Sequence, residues 1–153
     1  MKLSEYLENY NSVEQVYGYW PSFHDAEIKS VLLETYYKEK EDYVCPFIEI
    51  TLHCFEMTSK VLSNGFYELI KHNLIKFRFE DVHDSELVGF DHQNAILSLE
   101  FEILPKNERG FTPILVEIDP ANGLGGKFKA FSGKVVEVFP CDSTGKLKSD
   151  RGV

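Results

Sequence analysis

The stretch PFIEITLHCFEM, residues 46–57, decides the fold class of this chain. Its residues alternate between apolar and polar, so that every second side chain falls on the same face of an extended strand. The two sets are Ile48, Ile50, Leu52 and Cys54 on one face against Glu49, Thr51 and His53 on the other. Alternation of this length predicts a β-strand that buries one face.

The same alternation recurs at residues 74–82, 97–103 and 114–118, while residues 26–37 are rich in β-branched and aromatic side chains, which also favours a strand. Further strands are predicted at residues 26–37, 74–82, 97–103, 114–118, 127–131 and 134–139. Lys38–Asp42 is predicted as a charged hairpin loop, and Ser132-Gly133 as the turn of a closing hairpin between the last two strands. These segments together predict about seven mostly antiparallel strands.

The first twenty residues follow helical spacing instead. The pattern predicts two short helices, over residues 3–10 and 13–17. Ser12 with Gln15 has the form of a capping box for the second helix, and Gly18 occupies a C-cap position. We therefore predict an α+β, mainly β fold in which short N-terminal helices precede a curled sheet or sandwich.

Length and composition favour one globular domain over residues 1–140. The chain has 153 residues, and Leu, Ile, Val and Phe make up about 31% of it. Disordered chains lie below roughly 20% on this measure, so the composition predicts a folded chain. A domain of this length buries enough surface to form a core without a metal or a disulfide. Residues 141–153 are polar and contain two glycines, which predicts a frayed C-terminal tail.

The charge is strongly acidic and unevenly distributed. The formal net charge is −9, and residues 1–100 hold 18 acidic against 8 basic side chains. Such a surface disfavours nucleic acid and attracts a basic partner, although solubility alone also explains it. The sequence contains neither an apolar run of about 18 residues nor a signal-peptide core, so we expect no membrane association.

Three cysteines, at positions 45, 54 and 141, form no Cys-x-x-Cys pair. Their apolar surroundings favour buried free thiols in a reducing cytoplasm. Ser22 or one of these cysteines could act as a nucleophile with a His-Asp pair as its general base. None of them lies in a recognised catalytic motif. The glycine-rich residues 123–127 lack the phosphate-loop pattern and are predicted to form a turn.

Two similar tetrads offer the strongest alternative to a non-enzymatic function. They are HDAE at residues 24–27 and HDSE at residues 83–86, the second predicted in a loop. A metal or acid–base site would draw its ligands from both tetrads: His24, Asp25, His83, Asp84 and Glu86. The simpler interpretation is that His24-Asp25 fastens the turn entering the first long strand. Apart from this metal alternative, we predict no cofactor.

Aromatic residues are concentrated beside the first tetrad, at Tyr17, Tyr19, Trp20 and Phe23. A minor core under the N-terminal helices is the simpler explanation, and an interface hot spot is the other. Aromatic content is also the only support for a third function, a small-molecule-binding sheet domain, which needs an apolar pocket of roughly 300 Å³ or more.

Residues 18–28, GYWPSFHDAEI, resemble the N-terminal signature of the immunity protein 50 family of bacterial polymorphic toxin systems. Two further blocks are similar: Phe77-x-Phe79-x-Asp81-Val82 with FDHQNAI at 90–96, and VEIDP at 116–120 with GGKFKAF at 125–131. The resemblance implies a small cytoplasmic inhibitor that binds a cognate toxin and is not an enzyme. It carries over no catalytic residues. The signature residues that form either a structural turn or a functional cluster are Trp20, Phe23, His24, Asp25 and Glu27.

An acidic immunity protein would suit a basic toxin, because complementary charge speeds capture. The acids expected on exposed strand faces and loops are the candidate toxin contacts: Glu39, Glu41, Asp42, Glu80 and Glu86. Edge strands of an incompletely closed sheet could also pair two copies into a homodimer.

Overall fold

The computed structural model describes residues 2–147 and places them in two packed, mostly antiparallel sheets. The predicted mainly-β α+β fold is confirmed. After a 3-10 turn at Leu3–Glu5, the elements are β1 (Leu7–Glu8), α1 (Tyr10–Tyr17), β2 (Glu27–Lys38), β3 (Tyr43–Val61), β4 (Tyr67–Glu80), β5 (His83–Val88), β6 (Ile96–Ile103), β7 (Ile114–Pro120), β8 (Gly125–Ala130) and β9 (Ser132–Pro140).

The five-stranded sheet has the order β1-β9-β4-β3-β2, and the four-stranded sheet has the order β5-β8-β7-β6. Among the described strands, neighbours run antiparallel except β1 and β9, where Leu7 lies opposite Gly133 in a parallel pair. The last strand along the chain therefore lies inside a sheet, between β1 and β4.

The core forms where the inner faces of the two sheets meet. Phe79 of β4 lies 6.1 Å from the Phe101 ring of β6 and 5.3 Å from the Phe128 ring of β8. The alternation in residues 46–57 is confirmed, since Ile48, Ile50 and Leu52 are all buried. His53, on the opposite face, is also only 7% exposed.

The predicted first helix is wrong. Residues 3–5 form one 3-10 turn, and β1 follows because Leu7 packs into the core beside β9. The second helix is confirmed as α1, but it begins after Asn9, which has a φ of 61°, rather than with a capping box at Ser12. Gly18 does end this helix, with a φ of 82° and its N–H bonded to the carbonyl of Glu14.

The predicted hairpin between the last two strands is also wrong. β8 belongs to the four-stranded sheet and β9 to the five-stranded one, with only Phe131 between them. A hairpin needs a loop of at least about two residues, so the chain crosses between sheets here. Gly133 lies within β9, where a Cβ atom would approach the Phe79 ring to 2.8 Å. Its small size serves close packing rather than a turn.

Beyond β9, the chain makes one further turn. Cys141 forms a bridge with Leu147, and the carboxylate of Asp142 accepts the N–H groups of Thr144 and Lys146. Residues 148–153 of the segment that we predict to fray lie outside the described part of the chain. Within residues 2–147, no helix is long and apolar enough to cross a membrane.

Candidate partner-binding surface

The first tetrad joins the beginning of β2 to the beginning of β6. The N–H of Asp25 donates to the carbonyl of Ile96 at 2.9 Å, and the N–H of Ile96 donates to the carbonyl of Ala26 at 3.0 Å. The Nδ1 atom of His24 lies 2.9 Å from the carbonyl oxygen of Leu97. These bonds fix the tetrad to the edges of both sheets. They agree with the interpretation that His24-Asp25 fastens the turn before β2.

Asn94 is the buried centre of this junction, with 3% of its surface exposed. Its backbone N–H donates to the Oε1 atom of Glu27 at 2.8 Å. Its side-chain oxygen accepts the N–H of Asp91 at 2.9 Å and that of Leu124 at 3.1 Å. The first block of the resemblance, the FDHQNAI segment and the glycine-rich turn therefore meet at one asparagine.

The aromatic cluster beside the tetrad packs inward. Trp20 stacks on Tyr10 with ring centroids 4.2 Å apart, and its edge contacts Phe23 and Phe77. Phe23 is only 3% exposed. Both side chains thus form part of the core beneath α1, while Tyr19 is 48% exposed.

The second tetrad lies on β5 and not in a loop, so that prediction is wrong. Pairing with β8 places Glu86 opposite Lys127 and His83 opposite Lys129. Asp84 forms an ion pair with Lys129 at 3.2 Å, and the His83 ring lies 4.8 Å from that of Phe131. A polar edge strand needs no apolar alternation, which is why the sequence pattern missed it.

The two tetrads do not come together. The first contacts β6 and the second forms β5, which are the two opposite edges of the four-stranded sheet. Three inter-strand spacings separate those edges by about 14 Å, whereas metal–ligand bonds measure about 2.0–2.2 Å. Among the described residues, no three His, Cys, Asp or Glu side chains are placed to hold one metal ion. The five-residue metal site considered above is therefore not formed.

All three cysteines are buried thiols. Burial raises the pKa of the Cys54 thiol, with a smaller contribution from Cys141. A protonated, enclosed thiol is a weak nucleophile. This environment does not suit covalent catalysis.

Three of the predicted contact acids are exposed together in the loop between β2 and β3. Glu39, Glu41 and Asp42 all lie at this tip, where the Asp42 carboxylate accepts the hydroxyl of Tyr37. Glu86 is exposed on the outer face of the four-stranded sheet. Lys127 of β8 separates it there from Glu117 of β7.

Glu80, in contrast, is not a free contact, and the prediction for it is corrected. Its carboxylate pairs with Lys38 at 3.0 Å and Arg78 at 2.9 Å, and it accepts the Tyr36 hydroxyl at 3.0 Å. Burial acts to raise the pKa of Glu80, but these three partners together hold it below its usual range. Arg78 is itself fixed, 3.7 Å from the centroid of the Phe47 ring.

An aromatic groove of about 580 Å³ borders the acidic loop. Phe111, from the loop between β6 and β7, stacks on Phe131 with ring centroids 4.6 Å apart. The opposite side is formed by Tyr43, Asp81 and Glu41, and the hydroxyl of Tyr43 donates to Asp81 at 2.8 Å. This groove is not predictable from the sequence, because nothing in residues 104–113 signals that their loop returns to the start of β3.

The guanidinium of Arg109 lies 5.4 Å from the Phe111 ring, at the mouth of the groove. The groove therefore combines aromatic faces with carboxylates, and cations already lie over two of its rings, Arg109 over Phe111 and Lys38 over Tyr43, the latter at 5.5 Å. It is open to solvent and charged, which suits a protruding side chain of a protein partner better than an enclosed apolar ligand.

Comparison with known proteins places these features in a family. No curated protein and no solved structure matches the chain. A family model described as immunity protein 50 matches residues 9–140, a range that runs from just before α1 to the end of β9. That range includes the Asn94 junction, the acidic loop and the aromatic groove. The chain belongs to the immunity protein 50 family.

Proposed function

We propose that this protein is a cytoplasmic immunity protein that binds and neutralises a cognate bacterial toxin domain with a basic surface. Membership of the immunity protein 50 family supports the immunity role. The net charge of −9 supports a basic partner, since opposite charge accelerates encounter and suppresses wrong partners. The protein acts by binding and has no catalytic step of its own.

The observation that carries the proposal is the position of the acidic loop beside the aromatic groove. Interface hot spots are typically aromatic side chains in a concave surface, surrounded by polar groups that exclude water. Here Tyr43 and Phe111 supply the aromatic faces, and Glu41 supplies a carboxylate at the rim. A lysine or arginine of the toxin would bind between them through cation–π contact and an ion pair.

The acids around the groove have different parts in this proposal. Glu39 and Glu41 form no ion pair among those of the described residues, so both carboxylates remain available to a partner. Glu86 contributes to long-range attraction from the outer face of the other sheet. Because exposed charges are screened over about 8–10 Å at moderate salt, toxin binding should weaken as salt rises.

The test is co-expression with the toxic C-terminal domain encoded beside this gene, followed by purification and calorimetry. The wild-type chain should rescue growth and co-purify with the toxin. The double substitution Glu39→Lys with Glu41→Lys should weaken binding by at least about 10-fold, since it reverses close charge pairs. The matched control, Glu5→Lys with Glu8→Lys, makes the same change in net charge at two exposed positions on the N-terminal segment.

Two results would contradict the proposal. Failure of the wild-type chain to bind or rescue against every adjacent toxin domain would remove the immunity role. Equal weakening by both double substitutions would show that only net charge matters, and would remove the groove as the binding site. Phe111→Ala gives an uncharged check, because it should weaken binding at about 300 mM NaCl, where electrostatic attraction is largely screened.

A further inference from the structure

The outer part of the β3–β4 hairpin extends beyond the rest of its sheet. β2 begins at Glu27, opposite His53, and β9 ends at Pro140, opposite Asn73. Over residues 56–71, which we call the arm, β3 and β4 therefore have only each other as strand partners among the described residues. A two-stranded ribbon with both edges open is marginally stable in water.

The base of the arm is held by residues at the end of α1. The hydroxyl of Tyr17 donates to the carbonyl of Lys71 at 3.0 Å, and the hydroxyl of Tyr19 donates to the carboxylate of Glu56 at 2.8 Å. These bonds fix the direction in which the arm leaves the sandwich. The two tyrosine side chains cover the base of the arm and leave its outer residues in solvent.

The arm exposes a continuous apolar stripe. Register places Met57 opposite Leu69 and Val61 opposite Tyr67, and exposed side chains alternate with half-buried ones along β4 and most of β3. The large apolar side chains and their exposed fractions are Met57 50%, Val61 60%, Leu62 37%, Phe66 72%, Tyr67 52% and Leu69 37%. At roughly 150–250 Å² for a large side chain, they leave about 600 Å² in water, as much as the largest patch on a typical monomer.

The arm is electrically neutral within a chain of net charge −9. Its two acids each face a lysine: Lys71 lies 3.5 Å from Glu56, and Lys60 lies 3.8 Å from Glu68. Two copies of an acidic protein repel each other over most of their surface. The arm is therefore where two copies can approach with little electrostatic cost.

The aromatic groove and the arm lie toward opposite ends of β3. β3 has 19 residues and runs from the acidic loop to the arm tip, a length of about 60 Å. That distance exceeds the diameter of a small domain, about 30 Å. A toxin domain of about that diameter in the groove would therefore leave the arm free for another occupant.

We propose that the arm binds the arm of a second copy of this chain, forming a symmetric dimer. Each arm offers the same stripe and the same open edges, as a two-fold interface requires. Complete burial of these side chains on two arms would remove about 1,200 Å² from water, at the lower end of stable protein–protein interfaces. The dimer leaves both aromatic grooves free, one at each distant end.

The test is sedimentation velocity of the full chain without toxin, from about 1 to about 200 μM. The wild type should shift with concentration from 17.6 kDa to about 35 kDa, twice the chain mass. Val61→Thr with Phe66→Ser should raise the dissociation constant of the dimer by at least about 10-fold, a loss of about 1.4 kcal/mol. A matched control is Val88→Thr with Phe90→Ser, at positions that are 72% and 63% exposed outside the arm.

Three results would overturn the proposal. They are a wild type that stays monomeric at about 200 μM, equal weakening by both double substitutions, or loss of toxin binding in the arm variant. Unchanged melting temperatures would show that both variants fold. Because no toxin is present in the sedimentation experiment, a failure to dimerise leaves the proposed immunity function standing.

Discussion

Glu27 and Asn94 connect the two sheets of the sandwich: the backbone N–H of Asn94 donates to the Glu27 carboxylate at 2.8 Å. Glu27 begins β2 in one sheet, and Asn94 lies two residues before β6 in the other. The block of sequence that most resembles the family signature thus has a structural task.

Asn94→Ala should lower the free energy of unfolding by about 2–3 kcal/mol. The substitution leaves the buried N–H of Leu124 without its acceptor, and an unsatisfied buried donor costs about 1–3 kcal/mol. Urea denaturation measures the loss. The control is Asn107→Ala, which removes the same kind of side-chain acceptor from a more exposed turn, where water replaces it. Equal losses in the two variants would contradict a special role for the Asn94 junction.

Gly126→Ala should destabilise the protein by about 3 kcal/mol or more, because β5 passes too close to β8 for any side chain. Gly126 has a φ of 137°, and a Cβ atom there would overlap the carbonyl oxygen of Glu86. Gly65→Ala is the matched control, since its φ is 86° and a Cβ would meet nothing within 4 Å. That control should lose only about 1 kcal/mol, from backbone strain alone. Thermal unfolding followed by circular dichroism compares them, and similar losses would argue against the close approach.

Stability should fall as the pH is lowered below about 6.5, because of His53. Burial lowers the pKa of this histidine from 6.5, and the charges of His72 and Lys29 lower it further, while Asp142 opposes them. Between pH 6.5 and the lower folded-state pKa, the unfolded chain binds a proton that the folded chain does not. Unfolding is therefore favoured as pH falls through that window, and the full stability is present above it.

His53→Gln should reduce this pH dependence. The Nε2 atom of His53 lies 2.9 Å from the Nδ1 atom of His72, and glutamine keeps a polar group there without titrating. Urea unfolding at about pH 7.5, 6.5 and 5.5 gives the slope. A slope that is unchanged in the His53 variant would assign the effect to other groups.

Glu80→Gln should lower the free energy of unfolding by about 1–3 kcal/mol and leave the toxin affinity within about 2-fold of the wild-type value. A residue that contacts the toxin would show the opposite result, with lower affinity at unchanged stability. Its carboxylate balances Lys38 and Arg78, and its side chain is only 20% exposed. Glu137→Gln breaks a more exposed pair with Lys76 and should cost less than about 1 kcal/mol. Denaturation and calorimetry on the same samples separate the two effects. Weaker toxin binding at full stability would return Glu80 to the interface.

The strands were predictable wherever one face is buried and the other is in solvent. Residues 46–57 satisfy that condition, and so do the segments that became β4 and β6–β9. β2 was predictable from its β-branched and aromatic content instead, since Ile28 is the one buried residue in it. β5 does not satisfy that condition either, because an edge strand with His83, Asp84 and Glu86 carries polar groups on most positions. The alternation also does not predict which strands pair with each other, since β8 and β9 alternate in the same way and yet belong to different sheets.

The candidate surface was predictable only in part. A loop of acids between two strands is exposed by its position, which is why Glu39 and Glu41 could be named from the sequence. Glu80 sits on a similar alternating face, but Lys38 and Tyr36 reach it from another strand, and that pairing is a property of the folded sheet. The Phe111–Phe131 stack depends on the path of a loop, which local spacing does not encode.

The interior position of β9 has a consequence for how the protein is made. Among the described strands, β9 is translated last, yet it is the neighbour of both β1 and β4. Until residues 132–140 emerge, the nascent chain holds an open β4 edge that can pair with other unfinished chains. The five-stranded sheet is therefore completed only after residues 132–140 have been translated, and the β4 edge stays open until then.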